Sequence, residues 1–148
     1  MPSGCFRGGI TYDQYLLMSK VYTSYYGSRK LGDRYKVQIS TSAPSYYKVD
    51  AVMKEAAPDW STVSRIKNHQ IDEAQYKIEY LQKLWKNKDL ILAKLASLIR
   101  EAGGKDVVLL CYEKPSDFCH RHLFMEWLED RLAEDPHYKY IELGGEFN

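Results

Sequence analysis

A chain of 148 residues is long enough to bury one core without disulfides or a structural metal, and one domain spanning residues 1–148 is the expectation. Its composition, 45% hydrophobic and 28% charged, is that of a globular protein, and no apolar run approaches the length that crosses a bilayer. Lys and Arg number 21 against 20 Asp and Glu, so no global positive charge advertises nucleic acid, and such a role would rest on a local patch.

Residues 1–9 carry only Arg7 and lack the basic stretch, apolar core and small-residue cleavage site of a secretory signal. Three cysteines, Cys5, Cys111 and Cys119, are too few and too unevenly spaced for a disulfide scaffold. A cytoplasmic protein with free thiols is expected. Residues 1–18 read as an N-terminal arm with a possible helical turn at 13–18. Residues 20–26, rich in Val, Thr and Tyr, read as a first strand. Gly27, Ser28 and Gly32 break it. Tyr35, Val37, Ile39 and Thr41 then alternate with polar neighbours, the period of a second strand, which Pro44 ends.

Residues 45–68 show no sustained period and read as a loop with one or two short helices. Asp72 followed by Gln75 resembles a capping box, and Ala74, Ile78, Leu81 and Trp85 recur at helical spacing, so 71–86 is a helix expected to bury that stripe. A second helix over 90–102 turns Ile91, Leu95 and Leu98 inward and stops at Gly103-Gly104. Residues 106–112 are almost continuously apolar, as in a central strand covered on both faces. A further helix follows, with Leu123, Trp127 and Arg131 flanked by Phe124, Leu128 and Leu132 as its packing face. Pro136 ends it, and 138–143 reads as a last strand before Gly144-Gly145. This order of elements favours an α/β class: a compact, Rossmann-like layered sheet, mostly parallel and flanked by helices.

In open α/β sheets ligands bind beyond the carboxyl ends of the strands, where loops meet helix N-termini. Residues 111–121 occupy such a place. With Ser116 as N-cap, Asp117 and Cys119 fall in the first helical turn, where the dipole favours thiolate. Glu113 can act as a base, His120 titrates near neutral pH, and Arg121 can fork onto a phosphate or carboxylate at the mouth of a cleft. Simpler roles stand beside these: Cys111 as a packed small residue, Glu113 as a cap, His120 bonded to a backbone carbonyl, and Arg121 paired with Glu126 or another acid.

A phosphatase-type loop requires Arg six residues after a nucleophilic Cys, but position 117 is Asp. A zinc site drawing on Cys111, Cys119 and His120 or His122 lacks short-spaced cysteine pairs and an evident fourth ligand. No glycine-rich phosphate loop is present. The scheme calls for no metal and no cofactor. Of the 13 tyrosines, Tyr22 and Tyr47 are candidates to cover a base or sugar, although tyrosine also suits half-buried strands.

The run from Asp106 to Leu123, Asp-Val-Val-Leu-Leu-Cys-Tyr-Glu-Lys-Pro-Ser-Asp-Phe-Cys-His-Arg-His-Leu, resembles the signature of a prokaryotic and phage family, domain of unknown function 488. The likeness extends more weakly to 21–24, to 39–44 and to the helical 71–102. It implies a compact α/β fold and marks Cys111, Glu113, Cys119, His120 and Arg121. It also implies that Ser24 and Ser40, near the ends of neighbouring strands, approach the same cleft. Where relatives often carry a tryptophan after the proline-containing turn, this chain has Tyr46 and Tyr47. The family brings no established reaction.

The expectation is therefore a small enzyme acting on a nucleotide, nucleoside or nucleic acid. Arg121 would hold an anionic group, Glu113 and His120 would move protons, and Cys119 would be nucleophile or polar contact. Two alternatives stay open: a non-catalytic module that binds a phosphate-bearing ligand or a protein, and a thiol redox protein using Cys111 and Cys119.

Overall fold

A computed structural model of the protein describes residues 19–112 and 120–146. Expectations for residues 1–18 lie outside these. The first strand, β1 (Lys20–Tyr25), forms where Val, Thr and Tyr concentrate. The second, β2 (Tyr35–Gln38), is shorter than the alternation to Thr41 suggests. Its ladder ends because the chain is diverted: Ile39 N still donates to Leu110 O, but Ser40 Oγ donates to the carbonyl of Ser42, a local bond that competes with strand pairing.

Within the segment read as loop lies a two-residue strand, β3 (Ala51–Val52), that the sequence reading missed. It is held by its flanks, Asp50 N donating to Lys36 O at 2.8 Å and Met53 N to Gln38 O at 2.9 Å. Two residues are too few to show a period of two. A 3-10 turn (Lys54–Ala56) and helix α1 (Trp60–Lys67) follow, in line with the short helices expected there.

Helix α2 (Glu73–Lys86) starts as expected, with the carboxylate of Asp72 accepting from Gln75 N at 2.8 Å. Its buried face differs from the expected one. Tyr76, Tyr80 and Leu84 point into the core, while Ala74, Ile78 and Trp85 are exposed and Leu81 is half-buried. Tyr80 can be buried because its hydroxyl donates to Ala56 O, so the ring supplies apolar area without an orphaned polar atom.

Helix α3 (Lys88–Glu101) turns Ile91, Leu95 and Leu98 inward as its spacing indicates. It gives way at Gly103 and Gly104, whose φ angles of 63° and 92° are left-handed. Strand β4 (Val107–Cys111) follows, every residue fully buried. Helix α4, described from His120 to Glu134, packs through Phe124, Trp127, Leu128, Arg131 and Leu132.

The last strand, β5 (Glu142–Glu146), corrects the expectation of a strand ending before Gly144-Gly145: both glycines lie inside it, and residues 136–138 form a 3-10 turn instead. The reason is tertiary. A Cβ on Gly144 would stand 2.1 Å from Cε1 of Tyr22, so only glycine lets the Tyr22 ring lie against this strand. The β1–β5 register shifts at the same place, between Val21 and Tyr22.

The strands form one sheet in the order β3-β2-β4-β1-β5, parallel throughout. Buried residues of α2, α3 and α4 join Val21, Val37, Val107 and Leu109 in one core cluster. Val108 and Leu110, on the other face of β4, pack with Tyr26 and Leu31 from the β1–β2 connection. Among the described residues no helix is long and apolar enough to cross a membrane.

Candidate functional site

Beyond its carboxyl end, β2 leads sideways to β3, whereas β4 leads the opposite way, through α4, to β5. Neighbouring strands whose connections diverge leave a crevice between them at that edge of the sheet. A cavity of about 330 Å³ lies there, bordered by Ser40, Thr41 and Ser42 after β2 and by Tyr112 and His120 around the end of β4. Its volume is at the lower end of the roughly 300–1,000 Å³ common for small-molecule sites.

Helix α1 forms one wall, and its spacing gives it two faces. Trp60, Val63 and Lys67, at i, i+3 and i+7, line the cavity. Thr62 and Arg65, on the other side, fasten the helix to α2. Glu79 Oε1 accepts from Thr62 Oγ1 at 3.0 Å and from Arg65 Nη2, and its Oε2 accepts from Arg65 Nη1 and Gln75 Nε2, each at 3.0 Å. The Arg65 guanidinium, helped by Gln75, lowers the Glu79 carboxyl to about 2.

The floor carries two fixed hydrogen-bond chains. The single proton of Ser40 Oγ goes to the Ser42 carbonyl, so the 2.6 Å contact between Tyr26 OH and Ser40 Oγ has Tyr26 as donor. Burial pushes the Tyr26 phenol well above its ordinary range, which keeps it a neutral donor. His120 is buried, its ring edge-on to Tyr80, and Nε2 lies 2.6 Å from Ile39 O. A carbonyl only accepts, so Nε2 carries the proton.

Arg121 is not among the described residues that border this cavity. Its side chain is 0% exposed, with Nε donating to Glu146 Oε1 at 2.9 Å and Nη1 to Cys111 Sγ at 2.8 Å. Glu146 also accepts from His122 Nε2 at 2.8 Å. The partner acid is thus on β5, not Glu126. Cys111 is fully buried at the end of β4.

Of the other expected site residues, the structure brings Ser40 to the cavity with His120 and leaves three elsewhere. Ser24 is buried within β1 opposite Leu110. Tyr22 packs against Gly144, with the Arg34 guanidinium 5.9 Å from its ring centre. Tyr47 packs edge-on to Tyr26 at 4.9 Å. These tyrosines fill space around the sheet, the ordinary role that strand-associated tyrosines take. Glu113, Ser116, Asp117 and Cys119 lie outside the described residues, as do the redox and zinc readings that need Cys119. Among the described residues no three His, Cys, Asp or Glu side chains form a group that could hold a metal.

Sequence reasoning missed Trp60, Lys67, Thr41, Ser42 and Glu73 as lining residues. The available signal was the Pro58-Asp59 pair, which marks a helix start and puts an aromatic residue on its first turn.

A family model, DUF488-N3a, described as the active DUF488-N3 subclade, matches residues 18–132. No curated protein and no solved structure gives a match.

Proposed function

The chain belongs to the DUF488 family, and from that premise we propose that it is a small enzyme acting on a nucleotide, a nucleoside or nucleic acid in the crevice between β2 and β4. The observation that carries this reading is the meeting, in one cavity at the divergence of the sheet, of a buried histidine of fixed tautomer and an exposed tryptophan. A buried histidine bordering a cavity is a side chain suited to general acid–base work. Ser40 and the backbone of 40–42 supply neutral polar groups suited to hydroxyls or ring edges.

Glu113 and Cys119 enter the proposal through the family signature, and through their place in the chain between Tyr112 and His120, which both line the cavity. A phosphate-bearing small molecule or a nucleic-acid strand is the proposed partner.

The test is incubation of the protein with a panel of nucleosides, nucleoside monophosphates and short oligonucleotides, with products read by mass spectrometry, beside His120→Gln. Turnover that His120→Gln lowers by about 10²–10⁴-fold supports the reading. Saturable binding without any product would identify a binding module instead.

A further inference from the structure

We propose that the cavity takes the base and sugar of a nucleoside unit carrying at most one phosphate, with the base on Trp60 and the phosphate facing Lys67. This deepens the proposed function and rests on it. Trp60 is 63% exposed although it sits on the cavity-lining face of α1, and Tyr112, 46% exposed, lines the same cavity from the end of β4. Two partly exposed aromatic rings beside one concavity offer stacking surfaces, and a base presents a flat ring of matching size.

Charge decides which nucleoside species fits. Lys67 and Glu73 are the fixed charges among the described lining residues, one of each sign. A triphosphate brings several negative charges and is ordinarily met by several cations or a metal. Among the described lining residues one lysine is balanced by one carboxylate, and the others are hydroxyl, aromatic and aliphatic with the His120 imidazole. A neutral nucleoside or a single phosphate matches that balance. The volume of about 330 Å³ also suits one nucleoside unit better than an extended ligand.

Trp60 lies on α1 and Lys67 two turns further along the same helix, so about 10 Å of axis separates their backbones at 1.5 Å per residue. The long lysine side chain tilts back toward the helix N-terminus, so this spacing lets a base and its 5′ or 3′ phosphate reach both.

The experiment is calorimetric titration of the full chain with a nucleoside, its monophosphate and its triphosphate for each of the four common bases, repeated for Trp60→Ala, Trp60→Phe and Lys67→Ala. Thermal melts confirm folding, which the exposure of both side chains favours. Expected are binding of nucleoside and monophosphate, weakening by at least about five-fold in Trp60→Ala with recovery in Trp60→Phe, and a loss in Lys67→Ala confined to the monophosphate. Affinity unchanged in folded Trp60→Ala would overturn the stacking site while leaving the nucleoside class standing. A triphosphate bound ten-fold more tightly than the monophosphate, or equal losses for nucleoside and monophosphate in Lys67→Ala, would overturn the charge assignment. Absence of binding by every compound would remove the proposed function together with this inference.

Discussion

Nε2 of His120 donates a 2.6 Å hydrogen bond to the carbonyl oxygen of Ile39, joining the first described turn of α4 to the chain just beyond β2. Eighty-one residues separate the two, and both are buried. The bond closes the floor of the crevice and at the same time selects the histidine tautomer, so structural and chemical roles meet in one side chain.

Replacing His120 separates those roles. Glutamine can keep an N–H aimed at Ile39 but has no nitrogen that accepts a proton at neutral pH. His120→Gln is expected to stay within about 1 kcal/mol of the parent stability and to lose turnover. His120→Ala leaves the Ile39 carbonyl without this donor and should cost about 1–3 kcal/mol as well. Urea denaturation of both variants checks this; equal loss of stability in the two would mean the glutamine does not reach the carbonyl.

The Glu79–Arg65 clamp predicts an acid limb in stability. Folding lowers the Glu79 carboxyl to about 2 from an ordinary value near 4.5. A depressed folded value means that the stabilisation is fully present above about 4.5 and disappears as pH falls toward 2. Melting temperature followed from pH 7 to pH 2.5 should decline across that window, and Glu79→Gln should flatten the decline while lowering stability at pH 7. An identical acid profile in the variant would show that other carboxylates dominate.

Gly144→Ala is expected to destabilise by about 1–3 kcal/mol, since its methyl group would enter the space of the Tyr22 ring. The cause is specific, so Tyr22→Ala combined with Gly144→Ala should cost less than the sum of the single changes. A double-mutant cycle by chemical denaturation measures the coupling, and strict additivity would place the strain elsewhere.

Arg121→Ala removes the guanidinium that bonds Glu146 and the Cys111 sulfur and should cost about 3 kcal/mol, because truncating a fully buried side chain leaves a cavity. Arg121→Lys keeps the charge but loses the planar fork that aims separate N–H groups at the two acceptors. It should fall between parent and alanine variant in a urea titration. Parent-like stability in both would return Arg121 to the role of anion ligand expected from its sequence position.

By itself the sequence determined the elements whose signals are local. The apolar run 107–111 reads as a strand covered on both faces and is one, the Asp72 carboxylate caps its own helix, and Gly103-Gly104 stops α3 by backbone conformation. Of the candidate stretch ending at Arg121, His120 borders the cavity, and the sequence singled it out because chemistry-bearing residues are its neighbours in the chain.

What only the tertiary structure decided are the contacts across long stretches of chain. The apolar stripe of α2 at Ala74, Ile78 and Trp85 carries the stronger hydrophobic period, yet the helix buries Tyr76 and Tyr80, because Ala56 supplies an acceptor for Tyr80 that no local pattern reveals. Gly144 looks like a stop until the Tyr22 ring is placed against it. Arg121 looks like a surface ligand until β5 brings Glu146 beside it. The wall bearing Trp60 and Lys67 comes from a helix of eight residues, too short for its period to stand out, and the order of strands in the sheet is what sets that wall beside His120.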